Sequence, residues 1–315
     1  MVETIGADLG GTKMLVGVVD ADRQVVHRSS ARSAGLSQDE VLDALERELR
    51  SALEARPDVV AAGLGVPCTM DRERGIAINA VNLELTDVPI RDLMTERIGL
   101  PVYVDNDANT AIIAEHRFGA ARGAQNAVML TVGTGIGGGL ILGGKPYRGS
   151  TGAAAELGHL VIDLAGPPCQ GSCPSNGCVE SLASGTVLAT EGLAAAEREP
   201  ESELGRRLAA GETIDGKAVT DAANGGDGAA RGAVEAIARR LGVALASLAN
   251  IFEPDVMVIG GGVIAAGDLL LRPAQNEVAA RALRPMNKTP VVAAELGPDA
   301  GMIGAAAMAA LEMEA

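Results

Sequence analysis

Two stretches of this chain are built alike: DLGGTKMLVGVV at 8–19 and TVGTGIGGGLIL at 131–142. Each sets a Gly/Thr-rich turn between two hydrophobic runs of strand character. A unit of that kind recurring so far along one chain constrains the fold more than any single motif. It reads as an internal duplication, two similar α/β halves facing each other with a ligand between them.

The surrounding pattern agrees. ETIGADLG, KMLVGVVD and QVVHRS read as a β-meander with turns at GGT and DADR. Ser37-Gln38-Asp39-Glu40 is a capping box, and Val41, Leu42, Leu45, Leu49 and Leu53 follow at helical spacing. Buried strands are expected at 59–67 and 101–107, with a helix over 108–118 that begins directly after Asp107. Helices fill 181–250, where Val234, Ile237, Leu241, Leu245 and Leu248 share a face. A strand at 256–262 runs into a glycine turn, 263–271 is helical, and a strand at 289–296 and a helix at 301–313 finish the chain. Strands alternating with helices give an α/β architecture. The expected division is a small α/β domain over 1–118, completed by 301–315, and a large α/β domain over 119–300.

Length and composition narrow the function. A chain of 315 residues has ample length for one large or two moderate cores. Apolar residues make up 47% without a long unbroken run, so no transmembrane helix is expected. The opening MVETIGADLGG enters a strand at once, without a basic and apolar leader, which predicts a cytoplasmic protein. A net charge of −15, from 41 acids and 26 bases, opposes binding to nucleic-acid phosphates. Trp is absent, and Tyr and Phe number two each, so stacking platforms are scarce and any sugar must be held by Asn, Asp, Glu and His. The 41 glycines are read as clustering in a few loops.

One stretch gathers soft metal ligands. ELGHLVIDLAGPPCQGSCPSNGCVE, from Glu156 to Glu180, holds His159, Cys169, Cys173 and Cys178, one imidazole and three thiols that suit tetrahedral Zn²⁺. Disulfides are the alternative, disfavoured in a reducing compartment. Four protein ligands close the site, so the flanking carboxylates Glu156 and Glu180 are left for other work. Cys68 has no partner at metal spacing, and His27 and His116 read as solvated or helix-surface residues.

Three glycine turns follow apolar strands: Asp8-Leu9-Gly10-Gly11-Thr12-Lys13, Gly133-Thr134-Gly135 and Gly260-Gly261-Gly262. Glycine lets the backbone approach a phosphate, main-chain N–H groups donate to its oxygens, and Thr12 and Thr134 add hydroxyls. Asp8 can reach Mg²⁺ or its water. Neither a Walker sequence nor a GxGxxG opening a helix is present. Each turn alone also fits a plain tight hairpin. Asp105-Asn106-Asp107-Ala108-Asn109 lies between a strand and a helix, where Asp107 either caps the helix or removes a proton from a substrate hydroxyl. Asn106 and Asn82 can hydrogen-bond neighbouring hydroxyls, while Asn79 reads as a turn former.

These residues resemble the ROK family of bacterial sugar kinases and sugar-sensing repressors across nearly the whole chain. DLGGTK (8–13) and VGTGIGGG (132–139) look like its phosphate hairpins, GLGVP (63–67) like its sugar-side strand, and VDNDAN (104–109) like its catalytic segment. ELGH (156–159) with CPSNGCVE (173–180) resembles its zinc signature, and GGGVIAAGDLL (260–270) its adenosine-side segment. The resemblance implies the actin/hexokinase-like (ribonuclease H-like) duplicated fold, two α/β domains with a cleft that closes over substrates. It implies Asp107 as the base for a sugar 6-hydroxyl. Asn82, Asn106, Asp107, Glu156, His159 and Glu180 would hold the sugar. Asp8, Gly10, Gly11, Thr12, Lys13, Gly133, Thr134, Gly135, Gly261 and Gly262 would form the bed for ATP and Mg²⁺. Zinc would be structural, on His159, Cys169, Cys173 and Cys178, with the other ring nitrogen of His159 on a sugar hydroxyl.

Two departures stand out. Family members usually space the first two cysteines C-x-C, whereas here Cys169-x₃-Cys173 precedes Pro174, and Cys68 stands where Gly is common. Seven residues precede the first hairpin motif, which predicts no DNA-binding module of the repressor kind. The expected activity is ATP-dependent phosphorylation of glucose by a homo-oligomer, dimer or tetramer. N-acetylmannosamine or N-acetylglucosamine kinase, a polyphosphate donor, a non-catalytic sugar sensor and a zinc hydrolase are the alternatives.

Overall fold

The computed structural model describes residues 2–80, 83–171 and 173–314, and the chain divides into two compact units. Unit 1 is Met1–Gly123, Gly139–Ala155 and Glu295–Ala315; unit 2 is Ala124–Gly138 and Glu156–Ala294.

Unit 1 opens with the expected meander, β1 (Thr4–Leu9), β2 (Lys13–Val19) and β3 (Val25–Arg32). The β1–β2 register runs from Thr4↔Val19 to Leu9↔Met14, which leaves residues 10–12 as the hairpin turn. Helix α1 (Gln38–Ala55) starts on a complete capping box, Ser37 bonded to the Glu40 N–H and Glu40 to the Ser37 N–H. Val41, Leu42, Leu45 and Leu49 on its inner face are buried in the core. Strand β4 (Ala61–Val66) lies parallel to β1. Strands β5 (Cys68–Asp71), β6 (Ile76–Ala80) and β7 (Thr86–Val88) make a separate antiparallel sheet. After α2 (Ile90–Ile98), strand β8 (Val102–Asn106) pairs parallel with β4 and leads straight into α3 (Asp107–Phe118). The main sheet has the order β3-β2-β1-β4-β8.

Strands β9 (Ala127–Val132), β10 (Ile136–Leu142) and β11 (Lys145–Pro146) repeat the meander, and β10 carries the chain out of unit 2 and into unit 1. Unit 2 continues through α4 (Val179–Ala183), α5 (Gly185–Arg198), α6 (Glu203–Ala209), α7 (Gly216–Asn224) and α8 (Gly228–Phe252). Strand β12 (Val256–Gly260), helix α9 (Asp268–Arg281) and strand β13 (Val291–Ala293) complete it, and β12 is parallel to both β9 and β13. The second sheet has the order β11-β10-β9-β12-β13, the same pattern as the first. On α8 the residues Val234, Ile237, Leu241, Leu245 and Leu248 are all buried, as their spacing predicts. The last helix, α10 (Ala300–Met313), returns to unit 1.

The glycines are not confined to loops. A Cβ on Gly6 of β1 would come within 1.9 Å of the Met302 carbonyl oxygen, and one on Gly63 of β4 within 1.9 Å of that of Ala305. On the other side of α10, a Cβ on Gly304 would lie 1.7 Å from the Thr110 carbonyl oxygen on α3. Glycine therefore lets α10 lie directly on the sheet with α3 against its back. Periodicity missed β5–β7 because strands of three to five residues hold too few alternations to register. Helix α9 runs on to Arg281 and carries Pro273 inside it, at the loss of one ladder hydrogen bond. Among the described residues no helix is long and apolar enough to cross a membrane.

Candidate active site

In unit 1 the strands β1, β4 and β8 run parallel, and chemistry collects at their carboxyl ends, where open α/β sheets bind ligands. Asp8 lies near the end of β1, ahead of the 10–12 turn. Gly10 N–H donates to the Lys13 carbonyl (3.0 Å), and Ser33, itself buried, braces the turn. The Ser33 hydroxyl donates to the Gly10 carbonyl (2.5 Å) and its N–H to that of Thr12 (3.1 Å). Asp8 is half-buried, and Gly301 in the first turn of α10 packs on its carboxyl, where a Cβ would come within 2.6 Å of Cγ. Burial first, and then the Asp107 carboxylate, push the Asp8 pKa up to about 7, while Lys13 pulls it back.

Asp107 is the first residue of α3. The helix is capped by Asn106 instead: its Oδ1 accepts from the N–H groups of Ala108 (2.9 Å) and Asn109 (3.3 Å). The Asn106 amide also donates to the Cys68 carbonyl (3.3 Å), which ties the junction to the start of β5. With Asn106 acting as the cap, Asp107 Oδ1 accepts the neighbouring Ala108 N–H (2.8 Å). Burial raises the Asp107 pKa, and its hydrogen bonds with the Ala108 N–H, its own N–H and Asn106 offset part of the rise. A carboxylate of raised proton affinity at a strand end has the character of a general base. The Asp107 carboxylate raises the proton affinity of Asp8, and a carboxylate in that setting could serve as an oxygen ligand to a divalent cation.

In unit 2 the second and third glycine turns follow β9 and β12. Gly133 N–H donates to the Gly135 carbonyl (2.9 Å), and Gly185 N–H at the start of α5 donates to that of Gly133 (2.7 Å). The Thr186 hydroxyl reaches the Thr134 carbonyl (2.8 Å). Gly261 has φ +83°, and a Cβ there would meet the Val132 carbonyl oxygen at 2.4 Å, so packing and conformation both demand glycine. At Gly133 and Gly262 a Cβ would meet nothing within 4 Å, and neither φ is positive. Glycine at those two positions leaves open space over the turns, which a side chain would fill and a phosphate can use. Glu180 accepts the Ile136 N–H (2.7 Å), which sets its carboxylate on the second turn.

The thiol cluster lies in the same unit. The chain folds back on itself, with bridges between Val161 and Cys178 and between Pro168 and Asn176, and the Cys169 N–H donates to the Ser175 carbonyl (2.9 Å). This brings His159, Cys169, Cys173 and Cys178 together, their ligand atoms all within 4.8 Å of one another. His159 Nδ1 lies 3.4 Å from the Cys169 sulfur, and the Cys173 and Cys178 sulfurs are 3.9 Å apart. Bond lengths to tetrahedral zinc imply edges of about 3.6 Å for nitrogen to sulfur and about 3.8 Å for sulfur to sulfur. The four residues therefore fit zinc, and the Cys169-x₃-Cys173 spacing is absorbed by the loop. Burial and the neighbouring thiols of Cys178 and Cys173 push the Cys169 pKa up to about 12. His159 Nε2 points the other way, 3.9 Å from the Glu156 carboxylate.

The expected residues thus fall into two groups. Asp8, Gly10, Gly11, Thr12, Lys13, Asn106 and Asp107 belong to unit 1, and Gly133, Thr134, Gly135, Glu156, His159, Glu180, Gly261, Gly262 and the three cysteines to unit 2. Asn82 lies outside the described residues. Sequence reasoning missed Ser33, which braces the first turn, and Asp105, a wholly buried carboxylate two residues before Asp107. Asp105 accepts from Arg148 Nε at 2.5 Å. An acid at a strand end was a visible signal for Asp105, but Arg148 lies too far along the chain to be paired with it.

The comparisons with known proteins agree with this geometry. A glucokinase of Halalkalibacterium halodurans is 36% identical over 307 residues, 95% of this chain and 92% of that protein. A glucokinase of Streptomyces coelicolor is 36% identical over 312 residues, 97% of each chain. The crystal structure of a ROK family glucokinase from Streptomyces griseus, in complex with glucose and AMPPNP, superposes with a TM-score of 0.86 at 35% identity, covering 98% of this chain and 99% of that one. The two like-ordered sheets are the halves of the actin/hexokinase-like fold. The match to the ROK family runs over residues 4–312, from β1 to the end of α10, and the chain belongs to that family.

Proposed function

We propose that this protein is an ATP-dependent glucokinase with Asp107 as its general base. The observation that carries the reading is the Asp107 carboxyl, held at the carboxyl end of β8 with its proton affinity raised and its helix capped by another residue. Relatives named glucokinase at 36% identity, and the glucokinase structure holding glucose and AMPPNP, support ATP and glucose as the substrates.

Phosphoryl transfer needs positioning and charge neutralisation more than covalent help. The glucose 6-hydroxyl oxygen forms a bond to the γ-phosphorus as the bond from that phosphorus to the bridging oxygen of ADP breaks. The hydroxyl proton passes to Asp107, a contribution of ~10²–10⁴-fold. Backbone N–H groups of the 10–12, 133–135 and 260–262 turns, with the Thr12 and Thr134 hydroxyls, are the phosphate donors. Asp8 would hold Mg²⁺ directly or through a water, and the ion when bound would supply charge neutralisation on the phosphates. Asn82, Asn106, Glu156, His159 and Glu180 hold sugar hydroxyls. With four protein ligands and no open position, zinc on His159, Cys169, Cys173 and Cys178 is structural and orders the segment that carries Glu156, His159 and Glu180.

The test is a coupled assay of ADP release from ATP with glucose, mannose, fructose, N-acetylglucosamine and N-acetylmannosamine in parallel. The expected result is turnover with the highest kcat/KM on glucose. Preference for an N-acetylhexosamine would move the substrate, and no turnover with any sugar would end the kinase reading.

A further inference from the structure

Asp105 is 0% exposed, yet its carboxylate is fully engaged. One oxygen accepts from the Asn106 N–H (2.9 Å) and from Asn109 Nδ2 (2.9 Å), the residues on either side of Asp107 and Ala108. The other accepts from Arg148 Nε (2.5 Å), with Arg72 Nε at 3.8 Å. Arg72 is bonded in turn to Glu312 on α10. Arg148 comes from the segment after β11, which is folded back by a hydrogen bond from the Ala154 N–H to the Arg148 carbonyl (3.1 Å) and packed at Gly152 on Arg72. All of these groups belong to unit 1.

A buried ion pair is a poor source of net stability, because desolvation offsets most of the attraction. Its value here is geometric. Asn106 uses its side chain to cap α3, and Asp105 takes the Asn106 backbone N–H and the Asn109 amide, so the turn bearing Asp107 is held from both sides. The Asp107 carboxyl itself bonds to groups of that same turn, the Ala108 N–H, its own N–H and Asn106, so its position follows theirs. We infer that Asp105 is a positioning residue for Asp107, and that Arg148 sets the position by fixing the Asp105 carboxylate. The inference rests on the kinase reading above, in which Asp107 is the base.

The arrangement makes the pair a unit. Asp105→Asn keeps an oxygen for Asn106 and Asn109 but turns an amide N–H₂ toward the Arg148 donor, and the segment must shift. A misplacement of about 1 Å can cost ~10²-fold in rate while the substrate still binds. Pairing Asp105→Asn with Arg148→Gln gives the amide N–H₂ an acceptor again and removes the unpaired charge.

The experiment measures kcat, glucose KM and the pH profile of kcat for the wild type, Asp105→Asn, Arg148→Lys and the Asp105→Asn/Arg148→Gln double variant, with folding checked by circular dichroism. Arg148→Lys keeps the charge and the fold but not the guanidinium geometry, so it decides the matter if Asp105→Asn does not fold. The expected result is a ~100-fold fall in kcat for Asp105→Asn and ~10-fold for Arg148→Lys, with glucose KM within about threefold of wild type. The double variant should recover at least tenfold over Asp105→Asn, and its pH profile should return toward that of wild type. Folded variants that keep wild-type kcat, lose only in KM, or show losses that add in the double variant would overturn the inference. A wild type without sugar turnover would instead remove the kinase reading on which it stands.

Discussion

Burial and the Asp107 carboxylate raise the cost of ionising Asp8, and that fixes a pH signature at the level of single residues. Asp8 is raised from 3.8 to about 7, so the native state holds a proton there that the unfolded chain gives up. Stability from this group is fully present below pH 3.8, falls as pH rises toward 7, and is flat above. Asp8→Asn removes the titration. In the ligand-free protein, the melting temperature of Asp8→Asn relative to wild type is predicted to rise from pH 4 to pH 7 and level off beyond. A difference that is constant over that range would show that Asp8 is not held protonated. The same neutral variant is expected to lose ATP turnover, because the cation then lacks its carboxylate.

Among the elements, the segment between Leu160 and Cys178 has hardly any regular structure of its own. It is held by two isolated bridges and a few main-chain hydrogen bonds. Zinc on its four ligands is worth roughly 10–16 kcal/mol in small zinc peptides, ample for such a loop. The prediction is one zinc per chain by metal analysis, and its removal by a strong chelator should lower the melting temperature and abolish sugar turnover. A chain that binds no zinc, or that keeps its activity when stripped, would overturn the structural role. At this scale the sequence was legible wherever a local rule applied. The Ser37–Glu40 box started α1 where expected, and the apolar stripe of α8 is buried as its spacing required. It was illegible wherever the cause was remote. Gly6 and Gly63 are needed because α10, far along the chain from β1 and β4, lies on those strands, and Gly304 because α3 lies against its other side. Nothing near those glycines says so. The cap on α3 stayed open for a related reason: Asn and Asp are equally good caps, and only the geometry assigns the task to Asn106.

For the molecule as a whole, the duplicated strand–turn–strand motif was the most legible feature, because hydrophobic strands flanking a Gly/Thr turn announce themselves in any register. The two sheets repeat one strand order. The site was legible as an inventory of residues rather than as an arrangement. Ligand types and spacings named the zinc set and Asp107, whereas the Asp105–Arg148 pair joins residues 43 apart in sequence and shows only in the folded chain. Asp107 is the base in the proposed kinase reaction, and the most direct measurement sets wild type beside Asp107→Asn. Glucose affinity is read by calorimetry and kcat by ATP-dependent formation of glucose 6-phosphate. The prediction is a kcat lower by ~10²–10⁴-fold with glucose affinity within about threefold, since the amide still hydrogen-bonds the hydroxyl but takes no proton. A variant that turns over within tenfold of wild type, or whose loss lies wholly in glucose affinity, would contradict it.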